Sequence, residues 1–536
     1  MSTGIITRQW LQRARGTAAE RPALSLQSGP TWTYAQLAER SARYANGLWE
    51  QGVRPGDRVA ILLSNSLEYV ALYLAITRLG AIAVRPNWRL TARELGYVLS
   101  DSGTSVLCAH GRFLERVEPV LAETQIRTVV RFVLDPDVDE VDGPAGTLPQ
   151  RVLEDAEATE PEVAEPDADT PCMLMYTSGT TGFPKGALWT HGNTVWFAAM
   201  QALYWGYDES AVHLSTTPMF HVSGFEDWLL PVLFRGGHVV VMRSTGITVE
   251  GVVAAITQYR VRDAFLVPAL IYQLLSWPGL GDIEMSSWRR LLTGGSPLLR
   301  WAVDAIRDRF TGLRLEQAYG LTEGGGMAAV MIPEALDEHP TSVGRPLPLT
   351  EAKVVHPETG TELPPDTNGE LWLRSPSVCG RYWGKPEVSA QTFVDGWCRT
   401  GDLARITADG YLYIVDRIKD MIVSGGENIY PAEIENVLNE HPAIVECAVI
   451  GVPDAKYDET PCAVIVRDPG HDLTDDDVIA YCRAHLAGYK RPRHVVFTDA
   501  LPRNASGKIL KRRLRDVYAY LGSPAQPQET TSPSHR

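Results

Sequence analysis

The feature that most constrains this chain is an apolar strand that empties into a donor-rich loop. Cys172-Met173-Leu174-Met175-Tyr176 is an uninterrupted apolar run, the pattern of a strand covered on both faces. It feeds Thr177-Ser178-Gly179-Thr180-Thr181-Gly182-Phe183-Pro184-Lys185-Gly186-Ala187, which carries four hydroxyls, three glycines and a lysine. Small residues let backbone N–H groups close on phosphate oxygens, and a lysine adds charge. A Gly/Ser/Thr loop is as often mere surface; the density of hydroxyls around one lysine points to phosphate. The spacing is not that of a Walker A loop, which has Gly before Lys and Ser or Thr after it. Here Pro184, which lacks an N–H, precedes Lys185, and Gly186 follows.

Upstream, the pattern alternates. A helix is expected at 35–51 on the spacing of Leu37, Tyr44 and Leu48, a strand at 57–63, a helix at 67–79 and a strand at 81–84. That order is the βαβ signature of a parallel sheet, with further strands at 106–108 and 129–134. A chain of 536 residues exceeds one ordinary core. The acidic, Pro/Gly-rich stretch 136–169 reads as solvated loop with a short helix near 151–158. A short amphipathic helix is expected at 5–15.

The formal net charge of −15 excludes nonspecific nucleic-acid binding. Seven cysteines are scattered with no CxxC pair, so neither a zinc site nor a disulfide framework is indicated and a reduced, cytoplasmic setting fits. The start of the chain has charges throughout and no apolar signal region. The apolar stretch 69–84 is broken by Arg78 and Gly80 and is too short to span a bilayer.

After the loop, a strand at 211–215 leads to Pro218-Met219-Phe220-His221-Val222-Ser223-Gly224. His221 lies just beyond a strand end, where open α/β sheets place ligands, so a site role is expected. Glu226 and Asp227 follow, and both are expected to face solvent or cap the next helix, 228–233. Were either to point inward, its charge would need a partner such as an amino or hydroxyl group on a substrate. Apolar strands at 237–242, 264–267 and 289–292 come next, the last running into Gly294-Gly295-Ser296-Pro297. Then comes Leu315-Glu316-Gln317-Ala318-Tyr319-Gly320-Leu321-Thr322-Glu323, followed by Gly324-Gly325-Gly326-Met327. The three glycines are expected to remove side chains where a substrate enters. From about Ser342 short strands and turns replace the alternation, with strands at 351–355, 369–374 and 410–414, and with Trp397-Cys398-Arg399-Thr400-Gly401-Asp402 among them. The last part has helix at 434–439, strands at 445–452 and 463–466, helix at 475–486 and a strand at 495–497. It ends in Leu501-Pro502-Arg503-Asn504-Ala505-Ser506-Gly507-Lys508, and Arg503, Lys508, Lys511, Arg512, Arg513 and Arg515 form a basic cluster. Most of that cluster is expected to be a solvated helix end. The composition of 522–536 predicts disorder.

Taken together, these motifs resemble those of the adenylate-forming superfamily: acyl- and aryl-CoA synthetases, peptide-synthetase adenylation domains and beetle luciferases. The resemblance spans nearly the whole chain. It implies an α/β fold: a large N-terminal domain of parallel-sheet α/β layers with a small β-rich subdomain, and a small mobile α+β C-terminal domain. The expected division is 1–416 for the adenylation domain, 417–420 for a hinge, 421–520 for the mobile domain and 521–536 for a disordered tail. By resemblance, Thr177, Ser178, Gly179, Thr180, Thr181, Gly182 and Lys185 bind the phosphates of ATP. Gly294, Gly295, Ser296, Gln317, Ala318, Tyr319, Gly320 and Thr322 take the adenine and phosphate, and Asp402, Ile414 and Arg417 lie at the ribose. Thr181 and Glu323 hold Mg²⁺, a sensible pairing because that ion is held by one or two carboxylates plus phosphates. Phe220, His221, Val222, Gly224, Gly295, Gly320, Gly325 and Met327 frame the acyl pocket. Lys419 stands at the hinge, Ser424, Gly425, Gly426 and Glu427 line the coenzyme A side, and Lys508 is the catalytic lysine.

The implied reaction joins a small-molecule carboxylic acid to ATP, giving an acyl-adenylate and pyrophosphate; coenzyme A then displaces AMP. Medium- or long-chain fatty acids and aryl acids such as cinnamates or benzoates all suit the sequence. An alternative is a stand-alone adenylation enzyme that transfers to a carrier protein, an amine or another nitrogen nucleophile. A catalytically dead binding protein is disfavoured by the joint presence of Lys508, Glu323, Asp402 and Lys185, and nothing asks for a luciferase-like oxygenase. A homodimer is left open against a monomer.

Overall fold

A computed structural model describes residues 16, 18–134, 146–177, 184–244, 246–282, 285–295, 298–424, 427–454, 456–503 and 508–522. The expected helix at 5–15 and nearly all of the expected disordered tail lie outside them.

Two large sheets carry the expected parallel layers. One runs Leu148–Pro149, Thr128–Phe132, Val106–His110, Arg58–Leu62, Ile82–Val84, Pro171–Thr177, Lys185–Thr190. Its neighbours are parallel except the last pair, which is antiparallel. The other runs Arg345–Pro346, Gly326–Met331, Arg314–Leu321, Arg290–Gly294, Asp263–Phe265, Val212–Ser215, His238–Val241, Pro22–Leu26, Thr31–Thr33. It is parallel from Arg314–Leu321 to Pro22–Leu26 and antiparallel at both ends.

The helices follow from local chemistry. Thr33 and Gln36 form a reciprocal cap at the start of Tyr34–Glu50, whose Leu37, Ser41, Tyr44, Ala45 and Leu48 make one buried face. The apolar stretch read as too short for a membrane is the helix Leu67–Arg78, buried on every side with Ser66 capping it. A helix apolar all round belongs inside a large core, and its side chains share a cluster with residues of both sheets. Among the described residues no helix is long and apolar enough to cross a membrane.

The β-rich part is an antiparallel sheet centred on Trp397–Ile406, flanked by Gly369–Arg374 and Leu412–Arg417. Beyond it, Ile422–Ser424, Asp458–Arg467, Ile444–Asp454 and His494–Phe497 form a sheet with its own cores, covered by Pro431–Asn439, Asp475–His485 and Lys511–Tyr518. The basic cluster is less solvated than expected. Lys511 pairs with Glu435 at 2.8 Å, Arg515 with Asp420 at 3.0 Å, and Arg503 with Glu446. Arg503, Lys508, Arg512 and Arg513 are exposed as expected, while Lys511 and Arg515 are half-buried.

Side chains bolt the two large sheets together where their strands end. Arg85 follows the strand Ile82–Val84, and its two terminal nitrogens donate to Glu226 at 2.7 Å each. Both side chains are completely buried. Asn65 makes a second bridge, donating to the Thr217 carbonyl at 2.8 Å and accepting from the Met219 amide at 2.8 Å. Glu226 therefore neither faces solvent nor caps the next helix, Leu229–Arg235, whose N-cap Trp228 makes no side-chain cap bond. Removing one member of a buried pair strands the other charge. Glu226→Ala is expected to cost about 3–5 kcal/mol in denaturant unfolding, and Arg85→Met with Glu226→Leu to recover most of it. A cost below about 1 kcal/mol for the single change would show that the pair carries no structural weight.

Candidate active site

The phosphate-loop stems are held from below. Thr177 and Lys185 face each other in the last antiparallel pair of the first sheet. The loop tip lies outside the described residues, and with it Ser178, Gly179, Thr180, Thr181 and Gly182. Asp101 organises what lies beneath. It accepts from Tyr176 Oη at 2.8 Å and from Lys385 Nζ at 3.0 Å, while Tyr97 Oη donates to the Pro184 carbonyl at 3.1 Å and lies 3.3 Å from Asp101. A carboxylate at the end of the helix Ala92–Asp101 opposes the helix dipole; the Lys385 ammonium offsets it. Both stems of the loop are thus referred to one carboxylate.

Glu323 sits in the turn after Arg314–Leu321. Its Oε1 accepts from Thr177 Oγ1 at 2.7 Å and from Tyr382 Oη at 2.9 Å. Lys185 Nζ lies 5.1 Å from the centre of the Tyr382 ring. Thr322 is held through its carbonyl, which accepts from the Trp189 indole at 3.2 Å. The donor set suits Mg²⁺: hard oxygens, one carboxylate and a hydroxyl. No group of three or more His, Cys, Asp or Glu side chains gathers for a metal among the described residues; Mg²⁺ is commonly held by one or two carboxylates with phosphate and water completing the set.

Asp402, on Trp397–Ile406, is buried and faces the second sheet. It accepts from Tyr319 Oη at 2.5 Å and pairs with Arg417 Nε at 2.5 Å. Burial raises its carboxyl; the charges of Arg417 and Lys508 and the Tyr319 hydrogen bond pull the other way. Ile414 packs with Tyr319 and Leu321. Gln317, Ala318 and Gly320 lie on the Tyr319 strand, and Ala318 pairs with Gly294. A side chain at Gly294 would come within 2.6 Å of the Ala318 carbonyl oxygen. Gly295 turns away at φ +85°; Ser296 lies outside the described residues.

His221 begins the short helix Val222–Phe225. Its Nε2 is covered and has no hydrogen-bond partner among the described residues. Burial, then the Lys508, Arg85 and Arg89 charges, lower its pKa to about 3. The Lys508 charge thus acts on His221 and on Asp402 at once. Phe220 lies 4.5 Å from the His221 ring, and Val222, Gly224 and Met327 are buried beside it.

Two expectations need correction here. Asp227 does not face solvent; it is 9 % exposed and its Oδ1 has no partner among the described residues. Gly325 and Gly326 do not open space. Side chains there would collide with Ser377 and with the Phe197 ring respectively, at 2.5 and 2.4 Å, so the glycines serve close packing. Ser424 is buried and pairs with Glu427. Gly425, Gly426 and the side chains of Glu427 and Lys419 lie outside the described set.

The sequence matches the AMP-binding enzyme description over residues 11–383 and the AMP-binding enzyme C-terminal domain over 433–508. It is 39% identical over 487 residues to a feruloyl-CoA synthase of an Amycolatopsis species, covering 91% of this chain and 94% of that one. It is 36% identical over 505 residues to the fatty acid–[acyl-carrier-protein] ligase ScoC of Streptomyces coeruleorubidus, covering 91% and 92%. Among solved structures, the anthranilate CoA ligase AuaEII in complex with anthranoyl-AMP superposes with a TM-score of 0.86 at 28% identity, covering 96% of this chain and 98% of that one. The chain belongs to the AMP-binding enzyme family. It is an AMP-forming acyl-CoA synthetase, with ATP, Mg²⁺ and coenzyme A as its reaction partners.

In this AMP-binding enzyme, sequence reasoning missed Arg85, Asp101 and Tyr382. Tyr382 carries no spacing that marks it. Arg85 could have been found, because a lone arginine closing the apolar run 81–84 demands a buried counter-charge.

Asp101→Ala is expected to leave the fold intact and to lower kcat/KM for ATP by about 10- to 100-fold, since a displaced loop misplaces the reacting phosphate; unchanged ATP kinetics would remove Asp101 from the site. A second expectation concerns pH. Burial, then the Glu226 charge, raise the Asp227 carboxyl to about 8. The unfolded chain releases that proton near pH 4 and the folded chain only near pH 8, so this group lowers stability as pH rises across that window. Asp227→Asn should therefore gain stability over wild type with rising pH, by up to about 1.4 kcal/mol per unit between pH 4 and 8. A difference in unfolding midpoints that stays flat with pH would show an ordinary carboxylate.

Proposed function

We propose that this enzyme adenylates an aryl carboxylic acid and transfers the acyl group to coenzyme A. The observation that carries this is the reach of one cation: the Lys508 charge acts both on His221, at the acyl wall, and on Asp402, at the nucleotide end. An aryl acid is favoured by the Phe220 ring beside His221, 4.5 Å between centres, and by the relatives that act on feruloyl and anthraniloyl groups.

In the first step a carboxylate oxygen forms a bond to the α-phosphorus of ATP, and the bond to pyrophosphate breaks. Two anions meet, so fixed positive groups must face the charge that builds up. Burial and the Lys508, Arg85 and Arg89 charges favour the neutral imidazole of His221, which orients the carboxylate by a hydrogen bond. Lys508 supplies the charge between acid and α-phosphate. Thr177 and Lys185 hold the triphosphate at the loop stems, and Glu323 would hold Mg²⁺, which neutralises phosphate charge when bound. Asp402, oriented by Tyr319 and Arg417, takes the ribose hydroxyls. In the second step the thiol sulfur bonds to the acyl carbon, the bond to AMP breaks, and the thiol proton passes to solvent. Lys508 has no charge to offset there. We assign residues 1–416 to the adenylation domain and 421–520 to a unit that rotates about 417–420, exchanging Lys508 for the Ser424–Glu427 hairpin. The seven cysteines are free and buried, which suits a reducing compartment.

Lys508→Ala is expected to reduce pyrophosphate exchange by at least about 1000-fold, while thioester formation from supplied acyl-adenylate stays within about threefold of wild type. Equal loss of both half-reactions would overturn the division of labour. A panel of aryl and fatty acids, assayed for AMP release with coenzyme A, with a carrier protein or with an amine, tests acid and acceptor together. Release only with an acceptor other than coenzyme A would overturn the ligase reading.

A further inference from the structure

A cavity of about 240 Å³ lies between the helix Tyr34–Glu50 and the short helix Arg151–Glu154. Gln36, Glu39, Arg40, Arg43 and Tyr44 line one wall and Glu154 the other. The two helices close together at Gly47, where a side chain would come within 2.6 Å of Leu153 Cα. The five positions on the long helix share one face, and their polar character sets the cavity apart from a packing gap between apolar side chains. Part of this polar set is already spent. Arg43 donates twice to Glu39 Oε1, at 3.0 and 2.9 Å, and to the Ala156 carbonyl at 2.8 Å. Glu154 Oε1 accepts from Gln150 Nε2 at 2.6 Å.

What remains carries both signs. Arg40 is half-buried, lies 4.4 Å from the centre of the Trp32 ring, and makes no hydrogen bond or ion pair among the described residues. The second carboxylate oxygens of Glu39 and Glu154 accept nothing among them either. Tyr44, 1 % exposed, forms the floor, and its Oη is without a partner among the described residues. Burial, then the Glu68 and Glu154 charges, raise the pKa of that phenol, so it remains a hydroxyl. The Arg40 charge acts on Tyr44 and on Glu68 as well. An unspent guanidinium and an unspent carboxylate oxygen thus face one small space over a hydroxyl, and each gains from a charged partner.

From this arrangement we propose that the cavity binds a small α-amino acid, with its carboxylate on Arg40, its ammonium on Glu154 and the Tyr44 hydroxyl beneath. A carboxylate alone would sit beside Glu39 and Glu154 uncompensated, and an amine alone would leave Arg40 unanswered; a zwitterion meets both. At a water's share of about 30 Å³ the space holds about eight non-hydrogen atoms, the size of valine. It is too small for a nucleotide or coenzyme A. None of the six lining residues belongs to the set that holds ATP or the acid, so the site is separate from the reaction and independent of which acid or acceptor is used.

Isothermal titration of the full chain with glycine, alanine, valine, leucine and aspartate, without ATP or acid substrate, tests this. At least one is expected to bind once per chain with Kd below about 1 mM. For the tightest, the decarboxylated amine and the hydroxy-acid analogue should each bind at least about 10-fold more weakly, the worth of one hydrogen bond to a charged group. Arg40→Met, which keeps its packing on Trp32, and Glu154→Gln, which keeps an acceptor for Gln150, should each weaken binding by a similar factor and leave pyrophosphate exchange within about twofold of wild type. Should either variant fail to fold, the analogue series on wild type still decides. No saturable binding of any of the five up to about 10 mM, equal binding of the hydroxy acid, or full affinity in both variants would overturn the proposal. Displacement of the amino acid by ATP would overturn it too, because that would put the ligand in the active site.

Discussion

A guanidinium and a carboxylate buried together hold this enzyme's site in place. Arg85 directly follows a strand of the first sheet, and Glu226 ends the short helix Val222–Phe225 that comes after a strand of the second. The carboxylate keeps the guanidinium protonated although burial opposes it. Such a pair is weak evidence for stability, since an apolar pair of like volume often does as well. Its effect is geometric. Two parallel hydrogen bonds fix distance and angle at once, and apolar packing alone does not. Arg85 also lies 5.0 Å from the centre of the Phe225 ring and 3.9 Å from Met175 Sδ. The acyl wall and the strand leading to the phosphate loop are therefore registered against the same group.

Three acids of the cleft have side-chain donors of their own. Asp101 has Lys385 and Tyr176, Glu323 has Thr177 and Tyr382, and Asp402 has Tyr319 and Arg417. These donors do more than satisfy hydrogen-bonding groups. They hold each carboxylate in a single orientation before a nucleotide arrives, so little reorganisation remains at the moment of reaction. Asp227 differs in having one carboxyl oxygen, Oδ1, covered and without a partner among the described residues.

The elements were legible in the sequence because they are local. The alternation upstream of Thr177 gave parallel strands within a residue or two of those observed, and the loops after them fell at strand ends, where a site belongs. Cross-sheet pairing was not legible. Arg85 and Glu226 are 141 residues apart, and no periodicity links one lone charge to another. Glu226 and Asp227 read as solvated because most acids are; only the apolar residues on both sides, Phe225 and Trp228, argued otherwise. The glycines at 325 and 326 signalled small size, but size alone does not say whether a ligand or a neighbouring side chain needs the room. Ser377 and Phe197 supply that answer, and both are distant in sequence.

The C-terminal basic cluster shows how an acidic protein presents a cation to an anionic reaction. Lys511 is matched by Glu435, Arg515 by Asp420 and Arg503 by Glu446. These ion pairs tie the helix Lys511–Tyr518 and the segment before it onto the sheet and helix beneath. A scattered basic surface would draw nucleotide to many places and screen poorly against a chain of net charge −15. Pairing compensates the supporting charges where they stand. The Lys508 charge, carried one residue before Ile509, which bridges to Arg503, acts on both Asp402 and His221. Position, rather than the number of basic residues, makes that lysine the one that acts at the α-phosphate.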